Sequence, residues 1–221
     1  MKRVAITLQA PYTVAPGRLD AERVGDIVSR AVIIVLFSFM AVRFGSDFLQ
    51  TGRLTNLLLL ISEMLVVALT VLRRAAATVD RSVRARLLTT LSLLGPPLVK
   101  PVQMVPMLPA SITVAASVAG LAVVIAGKIT LGRSFGLMPA NRGIVSSGVY
   151  RLVRHPIYLG YLITHVAFLF ANPTLWNLAI LLVGDIALLA RAVCEEQTLA
   201  RDAGYREYQQ LVRWRVCPGL F

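Results

Sequence analysis

Acidic residues, histidines and cysteines are all scarce in this chain. Eleven Asp and Glu stand against 23 Lys and Arg, with two histidines and two cysteines in 221 residues. With so few soft ligands, no metal site is expected. Cys194 and Cys217 make no C-x-x-C pair. They therefore indicate neither a disulfide framework nor a zinc site. There is no G-x-G-x-x-G after a strand and no P-loop, and neither G-x-S-x-G nor H-E-x-x-H occurs. Those absences remove Rossmann dehydrogenases, phosphate-loop enzymes, serine hydrolases of the nucleophile-elbow type and zinc peptidases. No internal repeat, low-complexity segment or strand pattern is visible either.

What the chain has instead is apolar bulk. Hydrophobic residues make up 57% and charged residues only 15%, and mean hydropathy is +0.71. A soluble domain of this size is not so greasy, so the expectation is an integral membrane protein. The net charge of +12 would suggest nucleic acid in a soluble protein. In an apolar chain it reads as basic loops facing anionic lipid headgroups, with membrane lipids as partners and no nucleic acid.

Apolar stretches near residues 26–44, 55–73, 87–105, 110–129, 156–171 and 174–193 each approach the roughly 20 residues that a helix needs to span a bilayer. The third is weakest, because Gly95-Pro96-Pro97 breaks it and Lys100 sits within it; a kinked helix, or a segment that only dips into the interface, is the alternative to a full span there. The expected fold is all-α: a polytopic membrane bundle of about six transmembrane helices. In that six-span reading, twenty of the 23 basic residues fall on one side, leaving Arg43, Arg53 and Lys100 opposite. Basic loops stay in the cytosol, so both termini are expected there, in an inner or plasma membrane. Residues 1–24 are polar and are expected outside the bilayer. Asn172-Pro173-Thr174 is too short a link for anything but an antiparallel helical hairpin between the last two runs. The expected division is 1–127, a polar tail and four spans, and 128–221, a region carrying the chemistry.

Polar chemistry gathers at both ends of that hairpin. One end is "YRLVRHPIYLGY", residues 150–161. Pro156 suits a first helical turn, where its missing N–H costs nothing. His155 then stands at the cap. A helix start offers backbone donors and partial positive charge to an anion, and Arg151 and Arg154 add to it. Gly160 lets a backbone or a ligand come close. The same residues also suit an interfacial belt of Tyr and Arg, with Pro156 merely starting the helix. At the other end, Arg191 and Glu195 are four apart and share a helix face. Glu196 points roughly 100° away. Asp185 lies inside an apolar run, where an acid is expensive and faces protein or a polar cavity; its depth matches Gly160, which puts it in reach of the same cleft. Glu63 and His165 are two further intramembrane ionisable groups, open to a functional or a packing role.

Together "GIVSSGVYRLVRHPIYLGY" and "RAVCEEQTLARDAGYREYQQLVRWRVCP" resemble the isoprenylcysteine carboxyl methyltransferase family and its bacterial relatives. The resemblance rests on the Y-x-x-x-R-H-P-x-Y-x-G block, the R-x-x-x-E-E helix, the paired tyrosines that follow and a closing R-x-x-P. It covers about residues 128–221. It implies an integral membrane methyltransferase that uses S-adenosylmethionine and has no Rossmann domain, with the hairpin and a cytosolic tail forming the cofactor pocket. By that resemblance His155, Pro156, Tyr158, Leu159 and Gly160 cradle the cofactor. Glu196, Tyr205 and Tyr208 close its cytosolic side, with Glu195 beside them. Arg191 and Glu195 stand nearest the reacting groups, and Arg215 and Pro218 pin the tail over the pocket. The partner is a lipophilic small-molecule or lipidated substrate from the bilayer. A carboxylate acceptor would want Arg191; an amine would want an acid as base. Two other readings stand beside this one: an NADPH-dependent membrane reductase of the sterol-reductase kind, and a membrane scaffold without catalysis.

Overall fold

The computed structural model describes residues 16–52, 54–100, 102 and 105–221. Among these the helices are α1 (Pro16–Thr51), α2 (Leu54–Leu72), α3 (Val83–Leu98), α4 (Ala110–Leu131), α5 (Pro156–Ala171), α6 (Leu175–Leu199) and α7 (Ala203–Leu211). Residues 1–15 of the expected polar tail lie outside the described residues, and α1 begins already at Pro16. The result is a polytopic helical bundle, integral to the membrane. Its core draws Phe37 of α1, Val66 of α2, Val124 of α4, Tyr158 of α5, Leu188 of α6 and Val216 of the tail into one cluster.

Among the described residues, four stretches are long and apolar enough to cross a bilayer: Ile27–Gln50, Leu54–Leu72, Ala110–Ser134 and Leu175–Leu199. Helices α3 and α5 have 16 residues each. At about 1.5 Å per residue they fall short of a hydrocarbon core roughly 30 Å thick. The third apolar run, 87–105, is broken where Gly95-Pro96-Pro97 marked it. Its helix starts earlier, capped by Ser82, whose hydroxyl accepts from the Ala85 N–H. It ends within a turn of Gly95-Pro96-Pro97, and Val99 is extended. Prolines remove backbone donors and crowd the preceding turn, so the helix cannot run on. The chain beyond it is held by the α5–α6 turn instead. The Lys100 N–H donates to Asn177 Oδ1, Asn177 Nδ2 donates back to the Lys100 carbonyl, and the Val102 N–H donates to Asn172 Oδ1.

The opposite end gathers the basic segments. Strands β1 (Thr78–Val79) and β2 (Ala140–Asn141) pair antiparallel, joining the α2–α3 loop to the α4–α5 loop. A ladder of two residues is too short to leave an alternating pattern, which is why the sequence showed no strand. The α4–α5 loop also meets the C-terminal tail: the Arg154 and His155 N–H groups donate to the carbonyls of Trp214 and Arg215. Three of the four basic segments thus share one end, as the charge count requires. Lys128 departs from that count. It belongs to α4, not to a loop, and is fully buried. Its ammonium donates to the Ser62 hydroxyl at 2.7 Å and to the Ser62 carbonyl at 3.1 Å.

Helix α5 packs chiefly on α4, and α6 chiefly on α3. In lipid, helices gain little from hydrophobicity, and small residues let backbones approach. Gly120 of α4 and Gly160 of α5 form such a crossing. A methyl on Gly160 would stand 2.5 Å from the Gly120 carbonyl. Gly95 and Gly184 make a looser crossing between α3 and α6, where a methyl at Gly95 would meet Gly184 at 3.7 Å.

Candidate functional site

Side-chain pairs across the hairpin run in opposite directions along the two helices: His155 with Glu196, Tyr158 with Glu195, His165 with Asp185. The arms are antiparallel, as the short turn demanded. At the basic end the two adjacent glutamates of α6 take different surroundings.

Glu196 is a hub. Its carboxylate accepts from Arg154 Nε at 2.8 Å, Arg215 Nε at 2.8 Å, His155 Nε2 at 3.3 Å and Gln209 Nε2 at 3.3 Å. Arg154 reaches on to the Val212 carbonyl at 3.2 Å. One carboxylate thereby ties the start of α5 to α7 and to the tail. Charge-assisted bonds of this kind are among the stronger ones. Beneath the tail, Tyr150, Tyr205, Tyr208 and Val212 form a second small core. Tyr208 donates its hydroxyl to the Tyr150 carbonyl at 2.7 Å, and its ring tilts against Tyr205. Burial raises all three tyrosine hydroxyls above the ordinary range, so they stay neutral donors.

Glu195, one residue away, is sparsely held. Tyr158 donates its hydroxyl to Glu195 Oε1 at 2.7 Å. Arg191 donates Nε to the same oxygen at 3.2 Å, with Nη2 also at 3.2 Å. Among the described residues, Oε2 has only His155 Nδ1, at 3.7 Å. The Arg191 guanidinium lies 5.5 Å from the Tyr158 ring centre, and the His155 ring stacks on Tyr158 at 5.2 Å between ring centres. Arg191 itself is 4% exposed. A guanidinium has five donors; Glu195 takes the Nε hydrogen with Nη2 close by, which leaves the outer hydrogens of Nη1 and Nη2 to donate elsewhere.

The sequence-stated residues divide accordingly. His155, Tyr158, Arg191, Glu195 and Glu196 converge at one place. Tyr205 and Tyr208 lie beneath the tail beside it. Pro156 is buried at the first turn of α5, and the Tyr158 N–H turns back to the His155 carbonyl. The helix start therefore presents fewer donors than a bare helix end. Leu159 turns toward α4 and lines an apolar cavity of about 360 Å³ with Ile163, Phe170 and Cys217. Gly160 faces the α4 backbone, so the close approach it allows is to Gly120. Asp185 does not reach the His155 motif. It bonds His165 Nδ1 at 2.6 Å, deeper in the hairpin. Sequence reasoning missed Gln209 and gave Arg154 no partner. An Arg directly before His-Pro at a membrane end was a signal, but its partner lies 42 positions away.

Residues 111–201 match the model of the isoprenylcysteine carboxyl methyltransferase (ICMT) family. The likeness to that family is one of this region alone. It runs from the start of α4 to the end of α6, and it holds His155, Tyr158, Arg191, Glu195 and Glu196 while leaving Tyr205, Tyr208 and Arg215 outside. The chain is also similar to protein-S-isoprenylcysteine O-methyltransferase A of Arabidopsis thaliana, with 35% identity over 101 residues. That match covers 40% of this chain and 46% of the relative, so the chain spans about half the length of the curated relative it matches. The ICMT-family region thus coincides with the hairpin and its two glutamates.

Proposed function

We propose that the chain is an S-adenosylmethionine-dependent methyltransferase of the membrane, acting on a lipophilic acceptor with a prenylcysteine-like carboxylate. The observation that carries this reading is Arg191: a buried guanidinium, oriented by Glu195 and set against Tyr158, within the ICMT-family region. The basic loops at this end, and so both termini, are assigned to the cytosol of an inner or plasma membrane.

The donor set fits the cofactor's chemistry. Its methionine end is a zwitterion that wants an acid for its ammonium and a cation for its carboxylate. Glu195 has a carboxylate oxygen held only by a long contact, and Arg154 or Arg215 supplies the cation. Tyr205 and Tyr208, with Glu196, would wall the site under the tail, and His155 and Tyr158 offer ring faces. When bound, the cofactor supplies an electrophilic methyl group on a sulfonium. The remaining work belongs to the chain. An acceptor carboxylate is ionised near neutral pH, so no general base is needed. Arg191 grips it in the two-pronged geometry a guanidinium allows. Glu195 and Tyr158 keep that guanidinium in place, and the apolar arms of the hairpin exclude water. Alignment and dehydration of this kind reduce the barrier substantially.

The test is methyl transfer from labelled S-adenosylmethionine into a prenylcysteine acceptor and into a host membrane extract, with the product identified by mass. A methyl ester on a lipophilic carboxylate is expected. Label on an amine would move the acceptor assignment, and no transfer by the folded, cofactor-binding protein would overturn the reading.

A further inference from the structure

Tyr161 of α5 carries a hydroxyl that the site so far leaves idle. Its ring is half-buried and packs against the core cluster that holds Tyr158, Leu188 and Ala192. Two neighbours fix that ring. The Lys128 ammonium lies 5.8 Å from its centre, and the His165 ring stacks on it at 6.2 Å between centres. A cation is attracted to an aromatic face, and Lys128 is itself immobilised by its two bonds to Ser62. Glu63, beside Ser62 and 7% exposed, lies within electrostatic reach of the same ammonium and balances its charge. Lys128 therefore serves the ring and is not a free cation for a ligand. A phenol O–H at membrane depth ordinarily finds a partner. The Tyr161 hydroxyl makes no hydrogen bond among the described residues.

Position gives that hydroxyl a use. Tyr158 meets Glu195 and His165 meets Asp185, so both turn from α5 toward α6. Tyr161 lies between them on the same face, three residues beyond Tyr158. From the Tyr158–Glu195 contact, three residues along α5 advance roughly 4.5 Å to Tyr161, and four residues back along α6 advance roughly 6 Å to Arg191. Tyr161 and Arg191 thus stand level across the hairpin, within electrostatic reach of each other. We propose that Tyr161 is a second donor to the acceptor's carboxylate. Arg191 grips the carboxylate with its outer guanidinium hydrogens, and the Tyr161 hydroxyl bonds the oxygen that does not attack. The other oxygen supplies the electron pair of the new O–CH3 bond, the C–S pair returns to sulfur, and no proton is exchanged. Charge leaves the carboxylate as the ester forms. A bond to it is therefore no stronger in the transition state than in the ground state, and it serves affinity and choice of an anion rather than turnover. The proposal rests on the methyltransferase reading for its reaction, though not for its binding.

The experiment uses N-acetyl-S-farnesylcysteine and its primary carboxamide as probes. The acid is assayed as methyl acceptor, and both are tested for raising the melting temperature of the detergent-solubilised full chain. Tyr161→Phe keeps the ring for Lys128 and His165 and removes only the hydroxyl. Its unliganded melting temperature should match wild type, because no bond within the chain is lost. Its KM for the acid should rise about tenfold, the scale of one hydrogen bond to a charged group, with kcat within about twofold. S-adenosylmethionine affinity should not move. Wild type should be stabilised more by the acid than by the amide, and Tyr161→Phe should shrink that difference. An unchanged KM in folded Tyr161→Phe overturns the proposal. So does a lower unliganded melting temperature with acid and amide weakened alike, which would give the hydroxyl to the fold. Absence of transfer to the acid counts against the methyltransferase reading, and the melting arm then decides the donor alone. An acid-specific rise that Tyr161→Phe weakens supports it; equal rises with both probes, or none, overturn it.

Discussion

The two faces of α6 at its basic end differ more than their adjacent glutamates suggest. Glu196 is enclosed by donors from four residues, and its side chain is 5% exposed. Glu195 is 17% exposed, holds two partners through one oxygen, and leaves the other nearly bare. A carboxylate with all its lone pairs engaged is a structural tie; one with capacity to spare can meet a ligand. The lesson is that neighbouring acids in one motif do not share one role. Glu196 assembles the end of the molecule, and Glu195 pairs with Arg191 while keeping one oxygen without a short contact among the described residues.

That contrast breaks most visibly at the tie. Glu196→Ala should cost about 3–5 kcal/mol, the usual penalty for stripping one partner from a buried ionic cluster. It strands Arg154 and releases Arg215 and Gln209. Thermal unfolding in detergent and protease nicking of residues 212–221 would show it; an unchanged melting temperature would hand Glu196 back to the cofactor alone. Arg191→Lys tests the other face. It keeps the charge and loses the planar fork, so turnover should fall about tenfold, roughly 1.4 kcal/mol, with S-adenosylmethionine affinity nearly unchanged. Wild-type turnover would argue for an amine acceptor or for a merely structural pair.

Tyr158→Phe sharpens the comparison further. It removes one bond to Glu195 and no bond to Glu196, worth about 0.5–1.5 kcal/mol. Transfer should slow several-fold while the tail stays protected. If proteolysis of the tail rises instead, the two faces are coupled. Smallest of all, Gln209→Ala removes one of Glu196's neutral donors. Stability should drop by about 1 kcal/mol or less, with turnover unchanged.

Much of the fold was legible because membrane helices declare themselves by length and by the charge of their loops. The Arg191–Glu195 pair was legible because helical spacing fixes it, and the antiparallel hairpin because three residues permit nothing else. The partners across helices were not legible. That Gly160 meets Gly120, and Lys128 meets Ser62, depends on how α4 sits against its neighbours, which no local pattern encodes. Asp185 shows the limit clearly: its depth matched Gly160, but its partner is His165, on the opposite arm and nearly three turns beyond His155. The end of α3 was legible from Gly95-Pro96-Pro97, which breaks the third run, while its start was not. Hydropathy continues past Pro97, and backbone geometry does not.

The tight crossing at Gly120 and Gly160 has a mechanical meaning. It fuses α4 and α5 into one stiff board, and the Gly95–Gly184 approach holds α3 against α6 as a second. The two sequence-adjacent arms thus belong to different boards. Their common edge is fastened at the Asn172–Asn177 turn and at the Glu196 tie, and between these fasteners it is bridged in the apolar stretch by His165 and Asp185. The two boards are thus joined along one edge by polar side-chain contacts rather than by close backbone packing, so the seam between the sequence-adjacent arms is a line of discrete bonds, each removable by a single substitution.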